Sequence, residues 1–283
     1  MGPLSDAAGR AADEPGDPVI EAAGLRYEYP DGTVGLDGVD VTLRAGERVA
    51  VVGPNGSGKS TLQQLLGGLV EPTSGSVTYF GETTDPEAVR ARLGVLLQDP
   101  DDYLFNTTVR EDVEYGPAQL GVPREEAAAR IDRLAETLGL TDLLDRPPFR
   151  LSGGEKQRAA LASVLAFDPE VLLLDEPTSA VDGEGRARVL ELLDDLHARG
   201  RTVVTFTPDL ELVPRIADRV IVVGPDGTVA AAGDVREVLT DADRLRENGL
   251  QPPAVVRLFE GLDVAEAPLT VAEARDLLAE RLG

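Results

Sequence analysis

Cysteine and tryptophan are absent from this 283-residue chain, histidine and methionine occur once each, and aromatic residues make up only 4%. Without cysteine there is no disulfide and no thiolate metal site. No apolar run approaches the roughly 18 residues that a bilayer-spanning helix needs. The opening stretch, MGPLSDAAGRAADEPGD, lacks the apolar core of a secretory signal, and Asp6 stands where a myristoylation motif wants Ser or Thr. These absences point to the cytosol. Lysine is scarce too: Lys59 and Lys156 are the only two, so the other 25 of the 27 basic residues are arginines.

What is abundant is negative charge. Fifty-one acidic residues give a formal net charge of −24. A surface of that sign is a poor partner for nucleic acid, whose phosphates need cations to neutralise them. Self-repulsion on this scale also works against a compact fold unless salt screens it. Together with the scarcity of lysine it suggests a high-salt cytoplasm. Hydrophobic residues at 42% nonetheless provide for one large or two small cores.

Residues 1–17, rich in Ala, Gly, Asp and Pro, read as a disordered tail. From Pro18 the text is strand-like: Val19-Ile20, Leu25–Tyr29, then Val39–Leu43 beyond the Pro30-Asp31-Gly32 turn. Strands are further expected at Arg48–Val52, Ser76–Phe80, Leu93–Leu97, Val171–Leu174, Thr202–Phe206 and Val220–Val223. Helices are expected over Leu62–Leu69, from Pro86, from Thr108 toward Tyr115, over Pro123–Leu138 and over Arg186–His197. Thr108–Glu111 and Thr270–Glu273 have the form of capping boxes. Alternating strands and helices imply an α/β fold with a parallel sheet and right-handed crossovers. No strand is expected between about residues 99 and 160, which reads as a helical lobe, and residues 234–283 read as mostly helical.

Two stretches carry chemistry. The strand Arg48–Val52 runs into Gly53-Pro54-Asn55-Gly56-Ser57-Gly58-Lys59-Ser60-Thr61 and then a helix, which is the phosphate-binding G-x-x-x-x-G-K-[ST] pattern in its required setting. The glycines let successive N–H groups curl around phosphates, Lys59 supplies a point charge, and the Ser60 hydroxyl can ligate Mg²⁺. The second stretch opens on Ser152-Gly153-Gly154-Glu155, a helix start with a good N-cap and free amides suited to an anion. It continues through the apolar strand Val171–Leu174 to Asp175-Glu176, at the strand end where parallel sheets bind ligands. Alone, such a pair could be an acidic turn. Beside a phosphate loop, Asp175 is placed to hold Mg²⁺ and Glu176 to polarise a water in line with the terminal phosphate.

The chain thus resembles the ATPase subunit of an ABC transporter. The matching pieces are the phosphate loop Gly53–Thr61, Gln98 as the Q-loop, Leu151–Glu155 as the signature, Asp175-Glu176 as the Walker B acids and Ser179–Asp182 as the D-loop. The resemblance implies a P-loop NTPase (RecA-like) core, a mostly parallel sheet with an antiparallel β subdomain and an inserted α-helical subdomain. The ATPase domain would cover residues 18–233, and 234–283 would be a C-terminal helical extension. It further implies ATP and Mg²⁺ as ligands, with Ser60, Gln98 and Asp175 around the metal and Glu176, Lys59 and Gln98 catalytic. Two such subunits would sandwich two ATPs, Ser152, Gly153, Gly154, Glu155 and Asp182 of one facing the nucleotide held by the other. Tyr29 matches the aromatic that stacks on adenine, with Tyr27 the alternative.

Tyr27–Gly32, Gln98–Asp102, Val113–Pro117 and Leu212–Val220 narrow the resemblance to the cobalt-type ATPases of energy-coupling factor importers. That implies a homo- or heteromeric ATPase pair, a membrane T subunit, a substrate-binding S subunit for cobalt, nickel or a vitamin, and a place on the cytoplasmic face of the membrane. The acidic stretch Asp99–Glu114 would face arginines of the T subunit. One departure stands out: the family's switch histidine falls at Pro208, in Thr207-Pro208-Asp209. Proline has neither an imidazole nor an N–H. Three functions are therefore set against one another: a transport motor, a nucleotide-binding partner that hydrolyses weakly, and an ABC ATPase of DNA repair or translation. Charge and the single cassette weigh against the last.

Overall fold

Apolar runs become strands here wherever both faces can be covered. The computed structural model describes residues 16–262, 264 and 266–282. It opens with β1 (Pro18–Glu28), β2 (Val34–Arg44), β3 (Arg48–Val52), α1 (Lys59–Leu66), β4 (Ser74–Tyr79) and β5 (Leu93–Leu96). Then come α2 (Val109–Gln119), α3 (Arg124–Leu138), α4 (Gly153–Leu165) and β6 (Val171–Asp175). They are followed by α5 (Gly183–Ala198), β7 (Thr202–Thr207), α6 (Val213–Ile216), β8 (Arg219–Val223) and β9 (Val229–Asp234). α7 (Val235–Thr240), α8 (Ala242–Glu247), α9 (Ala254–Phe259) and α10 (Val271–Leu282) complete the order.

The strands form two sheets. β2-β1-β4 is antiparallel, and β5-β6-β7-β3-β8-β9 is parallel except for β9, which runs antiparallel to β8. Sequence reading missed β9: its text, VAAAGD, has one β-branched residue and little to announce a strand. It forms because the Pro225–Thr228 turn folds the chain back, with the Thr228 carbonyl accepting from the Gly224 N–H. The element expected from Pro86 is a 3₁₀ stretch, Glu87–Arg92. Neither expected capping box closes in full: Glu111 turns to the Thr107 N–H and Glu273 to the Leu269 N–H, while Thr108 and Thr270 still cap their helices. Of the expected tail, residues 1–15 lie outside the described residues. The carbonyls of Gly16 and Asp17 already accept from Arg44 and Ala45.

The core explains the unbroken apolar text of the central strands. In β6, Val171 and Leu173 face α1 and the small sheet, in a cluster with Ile20, Leu36, Leu62 and Phe206. Leu172 and Leu174 face the opposite way, onto Leu138, Leu161 and Leu192 of α3, α4 and α5. A strand covered on both faces has no polar side, so period-2 alternation disappears. β3 and β8 repeat the pattern, with Val52, Val220 and Val222 covered by Val213, Leu239, Leu250 and Val256. The segment that follows β9 is thereby pinned under the strand that leads into the phosphate loop.

An ionic clasp closes the edge opposite that loop. Arg48, at the start of β3, holds Asp218 with two hydrogen bonds at 3.0 and 2.7 Å and reaches Asp194 at 3.4 Å. Asp194 is also gripped by Arg215. Hydrogen bonds from Arg215 and Arg48 hold the Asp194 and Asp218 carboxyls, respectively, below the usual carboxylate range. A depressed folded pKa adds stability above the unfolded value and loses it as pH falls through the folded one. Thermal unfolding from pH 7 to pH 3 should therefore show stability falling below about pH 4. Asp218→Asn should flatten that fall and, because the pair is largely exposed, lower stability at pH 7 by less than about 1 kcal/mol. Identical acid slopes for both proteins would contradict the assignment.

Candidate functional site

β3 delivers the chain to the sheet edge, where Gly53–Gly58 turns it sharply into α1. Among the described residues, no backbone or side-chain acceptor takes the amides of Gly56, Gly58, Lys59, Ser60 or Thr61. The first turn of a helix leaves such donors unpaired by construction, and here they crowd one loop at the positive dipole end. Gly58, at φ 94°, is the position that fixes the turn, since a Cβ there would lie 2.4 Å from the Gly35 carbonyl. Lys59 is buried, and its Nζ donates to the Gly53 and Pro54 carbonyls at 2.9 and 3.0 Å. Burial pulls the Lys59 ammonium below its usual range, and the charges of Asp175 and Glu176 work against that pull. The loop therefore holds one buried cation among several unclaimed N–H donors.

The acids arrive on β6, which β7 separates from β3 in the sheet. Asp175 is 3% exposed, and its Oδ2 accepts from the Ser60 hydroxyl at 2.8 Å. Burial pushes its carboxyl upward, opposed by that hydrogen bond and by Lys59. Hydroxyl and carboxylate oxygens side by side are hard donors, the kind Mg²⁺ takes together with phosphate oxygens. Glu176 adopts φ 44°, a left-handed conformation uncommon for a residue with a side chain. Three hydrogen bonds hold it there: its N–H to the Phe206 carbonyl at 2.9 Å, and its own carbonyl taking Ser179 N–H at 2.9 Å and Gln157 Nε2 at 3.3 Å. Such strain costs of order 1 kcal/mol and persists only where surroundings enforce it.

Ser152 begins α4 with a closed capping box: its hydroxyl accepts from the Glu155 N–H at 3.3 Å and Glu155 returns the bond at 2.7 Å. The Ser152 N–H holds the Glu155 carboxyl below its usual range. Among the described residues the Gly153 and Gly154 amides meet no acceptor. A Cβ on Gly154 would come within 2.8 Å of the Ala180 carbonyl, so this helix start rests on the loop that follows Glu176. Asp182, in that loop, is engaged in capping α5 through the Gly185 N–H at 2.8 Å.

The remaining predicted residues divide. Tyr29, 40% exposed, hydrogen-bonds through its hydroxyl to Thr61 at 2.5 Å and stands edge-on to Tyr27. Tyr27 is partly buried against the core, so Tyr29 is the aromatic beside the phosphate loop. Gln98 is exposed beyond the end of β5, with no hydrogen bond to Ser60 or Asp175. Pro208 is exposed at the end of β7.

Sequence reading missed four polar anchors. Gln63, fully buried, donates to the Leu96 and Leu173 carbonyls at 2.7 and 3.0 Å, tying α1 to β5 and β6. Gln157 supports Glu176, and Lys156 pairs with Asp101 at 2.6 Å, joining α4 to the segment after Gln98. Asp112, 2% exposed, accepts from the Phe105 and Asn106 amides. Uncharged glutamines inside helical text give no periodic signal, which is why they passed unnoticed.

Beside that segment lies a groove of about 490 Å³, walled by Leu69, Pro86, Val95, Phe105, Tyr115 and Leu120 with Asp102 and Asp112 at its polar side. Phe105 and Tyr115 are 60% and 48% exposed and pack edge to face at 5.1 Å. Among the described residues, no helix is long and apolar enough to cross a membrane.

The sheet order, phosphate loop and acid pair define an ATPase of the ATP-binding-cassette class. The family profile described as ABC transporter matches residues 36–179, and the chain belongs to that family. Within it, this is an ATP-binding subunit of the energy-coupling factor type. The energy-coupling factor transporter ATP-binding protein EcfA of Methanosphaera stadtmanae is 41% identical over 93% of this chain and 99% of its own length. That of Methanocaldococcus jannaschii is 40% identical, covering 87% and 89%. Among solved structures, cbiO1 of Clostridium perfringens, part of the cbiONQ ABC transporter complex, superposes with a TM-score of 0.71 at 34% identity, over 86% of this chain and 99% of that one. A dimeric cassette in a post-hydrolysis state with ADP and phosphate gives 0.69 at 29% identity, over 77% and 99%.

Gly58→Ala forces a side chain against the Gly35 carbonyl in a left-handed conformation. Thermal melts and ATP titration should show a loss of about 2 kcal/mol or more and at least about tenfold weaker binding. Unchanged binding would contradict the role given to this turn.

Proposed function

We propose that this ATPase is the motor of an importer, with Gly53–Thr61 cradling the ATP phosphates and Tyr29 presenting its ring to the adenine. The observation that carries it is the meeting of Lys59, Ser60 and Asp175 at one edge of the parallel sheet, with Glu176 held one residue beyond. Lys59 exchanges the Gly53 and Pro54 carbonyls for phosphate oxygens. Ser60 and Asp175 fit Mg²⁺, which when bound screens the β and γ phosphates, and Gln98 would reach the site on closure. Glu176 takes a proton from the attacking water as general base. The free Gly153 and Gly154 amides suit the ATP of a second, identical or paralogous subunit. Ser152, Glu155 and Asp182 shape that facing surface.

The apolar groove, with Asp102 and Asp112 beside it, suits basic amphipathic helices of a membrane T subunit working with a substrate-binding S subunit. Cobalt, nickel or a vitamin is the cargo class, and the cytoplasmic membrane face is the place. In this reading residues 18–233 form the ATPase domain, with its inserted helical subdomain over about 99–160, and 234–283 form a C-terminal helical extension. The −24 charge supports a high-salt cytoplasm.

Turnover should vanish in Lys59→Ala and fall at least about 100-fold in Glu176→Gln, which keeps ATP binding. Wild-type turnover no faster than Glu176→Gln would overturn the motor. Co-purification from membranes, with the bound S subunit identified, tests the partners. Pro208 favours a second reading, a slow subunit completed by a faster partner. If so, Pro208→His should raise turnover about tenfold or more. No gain removes that reason for the slower reading.

A further inference from the structure

A second cleft adjoins the phosphate loop on the side away from the apolar groove. It measures about 350 Å³ and is walled by Gly53, Pro54 and Asn55, by Pro208–Glu211, and by Gly249–Pro252 with Arg257 of α9. Arg257 is the single cation of that lining. Among the described residues no carboxylate lies within 4 Å of its guanidinium, in a chain where most arginines are paired. The acids across the cleft are already engaged. Asp209 meets Arg186 and the Glu211 N–H, and Glu211 accepts from the Ala254 N–H at 2.6 Å.

The segment carrying this arginine is fixed in place. Leu250, Val255, Val256 and Phe259 are buried, Pro252-Pro253 lead into α9, and Gly249 sits against Pro54. An exposed guanidinium is thus held on the rim of the phosphate loop by its own buried neighbours.

We propose that Arg257 contacts the terminal phosphate of the nucleotide, a second cation beside Lys59. The inference rests on the phosphate-loop reading above. A triphosphate carries several negative charges into a chain of net charge −24, and Lys59 alone is the cation inside the loop. Neither Pro208 nor Asp209 on the facing wall can donate a side-chain hydrogen bond to a phosphate. A guanidinium presents paired N–H donors that match phosphate oxygens and stay charged at any working pH. Because ADP lacks the terminal phosphate, Arg257 makes the site prefer triphosphate to diphosphate and stabilises the charge developing on the transferred group.

The test is titration of the full chain with ADP and with the β,γ-imido analogue of ATP, alongside ATP turnover, for wild type, Arg257→Ala, Arg257→Lys and Lys59→Ala. In Arg257→Ala the analogue should bind about tenfold more weakly and ADP within about twofold of wild type, with turnover down at least tenfold. Arg257→Lys should recover part of both losses, since it keeps the charge but not the paired donors. Equal losses for ADP and the analogue, or no loss for either, would overturn the proposal. If Lys59→Ala also binds both normally, the phosphate-loop reading fails instead. A Lys59-dependent site indifferent to Arg257 sinks this inference alone.

Discussion

A buried cation and a buried carboxylate at one edge of the parallel sheet set the terms for the rest of the structure. Lys59 and Asp175 are each almost removed from water, and burial disfavours the charge of both. Neither would be tolerated alone, because an unpaired interior charge is far costlier than a lost hydrogen bond. They are held in register by the parallel order β6-β7-β3, which ends all three strands at one edge. The sheet needs helices on both faces to exist, and α1 and α3–α5 supply them. The chemistry at the edge and the packing behind it are thus one requirement.

Much of this was legible because it is written in local text. The Gly53–Thr61 turn, the apolar Val171–Leu174 run and the Ser152 helix start each declare themselves within a few residues, and the structure places all three as elements of the expected kind. What stayed hidden depends on distant partners. Gln63 and Gln157 matter because of carbonyls more than ten residues away, and nothing nearby marks them. The left-handed Glu176 and Ala180 were equally invisible, since neither residue type favours that conformation, and for Glu176 it is the surrounding hydrogen bonds that impose it. β9 forms through its turn and its partner β8 rather than through its own composition.

The strain at Glu176 gives the acid pair a physical asymmetry. Asp175 completes β6 in ordinary extended geometry and points back to Ser60, whereas Glu176 is turned aside by the Phe206 and Gln157 bonds. Two acids in sequence would otherwise repel in one pocket. The backbone reversal leaves Asp175 beside Ser60 and turns Glu176 away from it. The same reversal places Ala180 against Gly154, so the two anion-seeking helix starts of the chain are mechanically joined through the acid turn. Movement at one helix start would be felt at the other by contact alone.

At the end of β7, Pro208 offers neither a side-chain donor nor a backbone N–H. The acids just beyond it are engaged, Asp209 by Arg186 and Glu211 by the α9 backbone. Glu211, through the Ala254 N–H, fastens the C-terminal helices to the rim of the loop. The helices that follow the sheet therefore do more than cover β3 and β8. They let the fold set a guanidinium beside the phosphate loop without burying it, which a short switch loop carrying proline could not do.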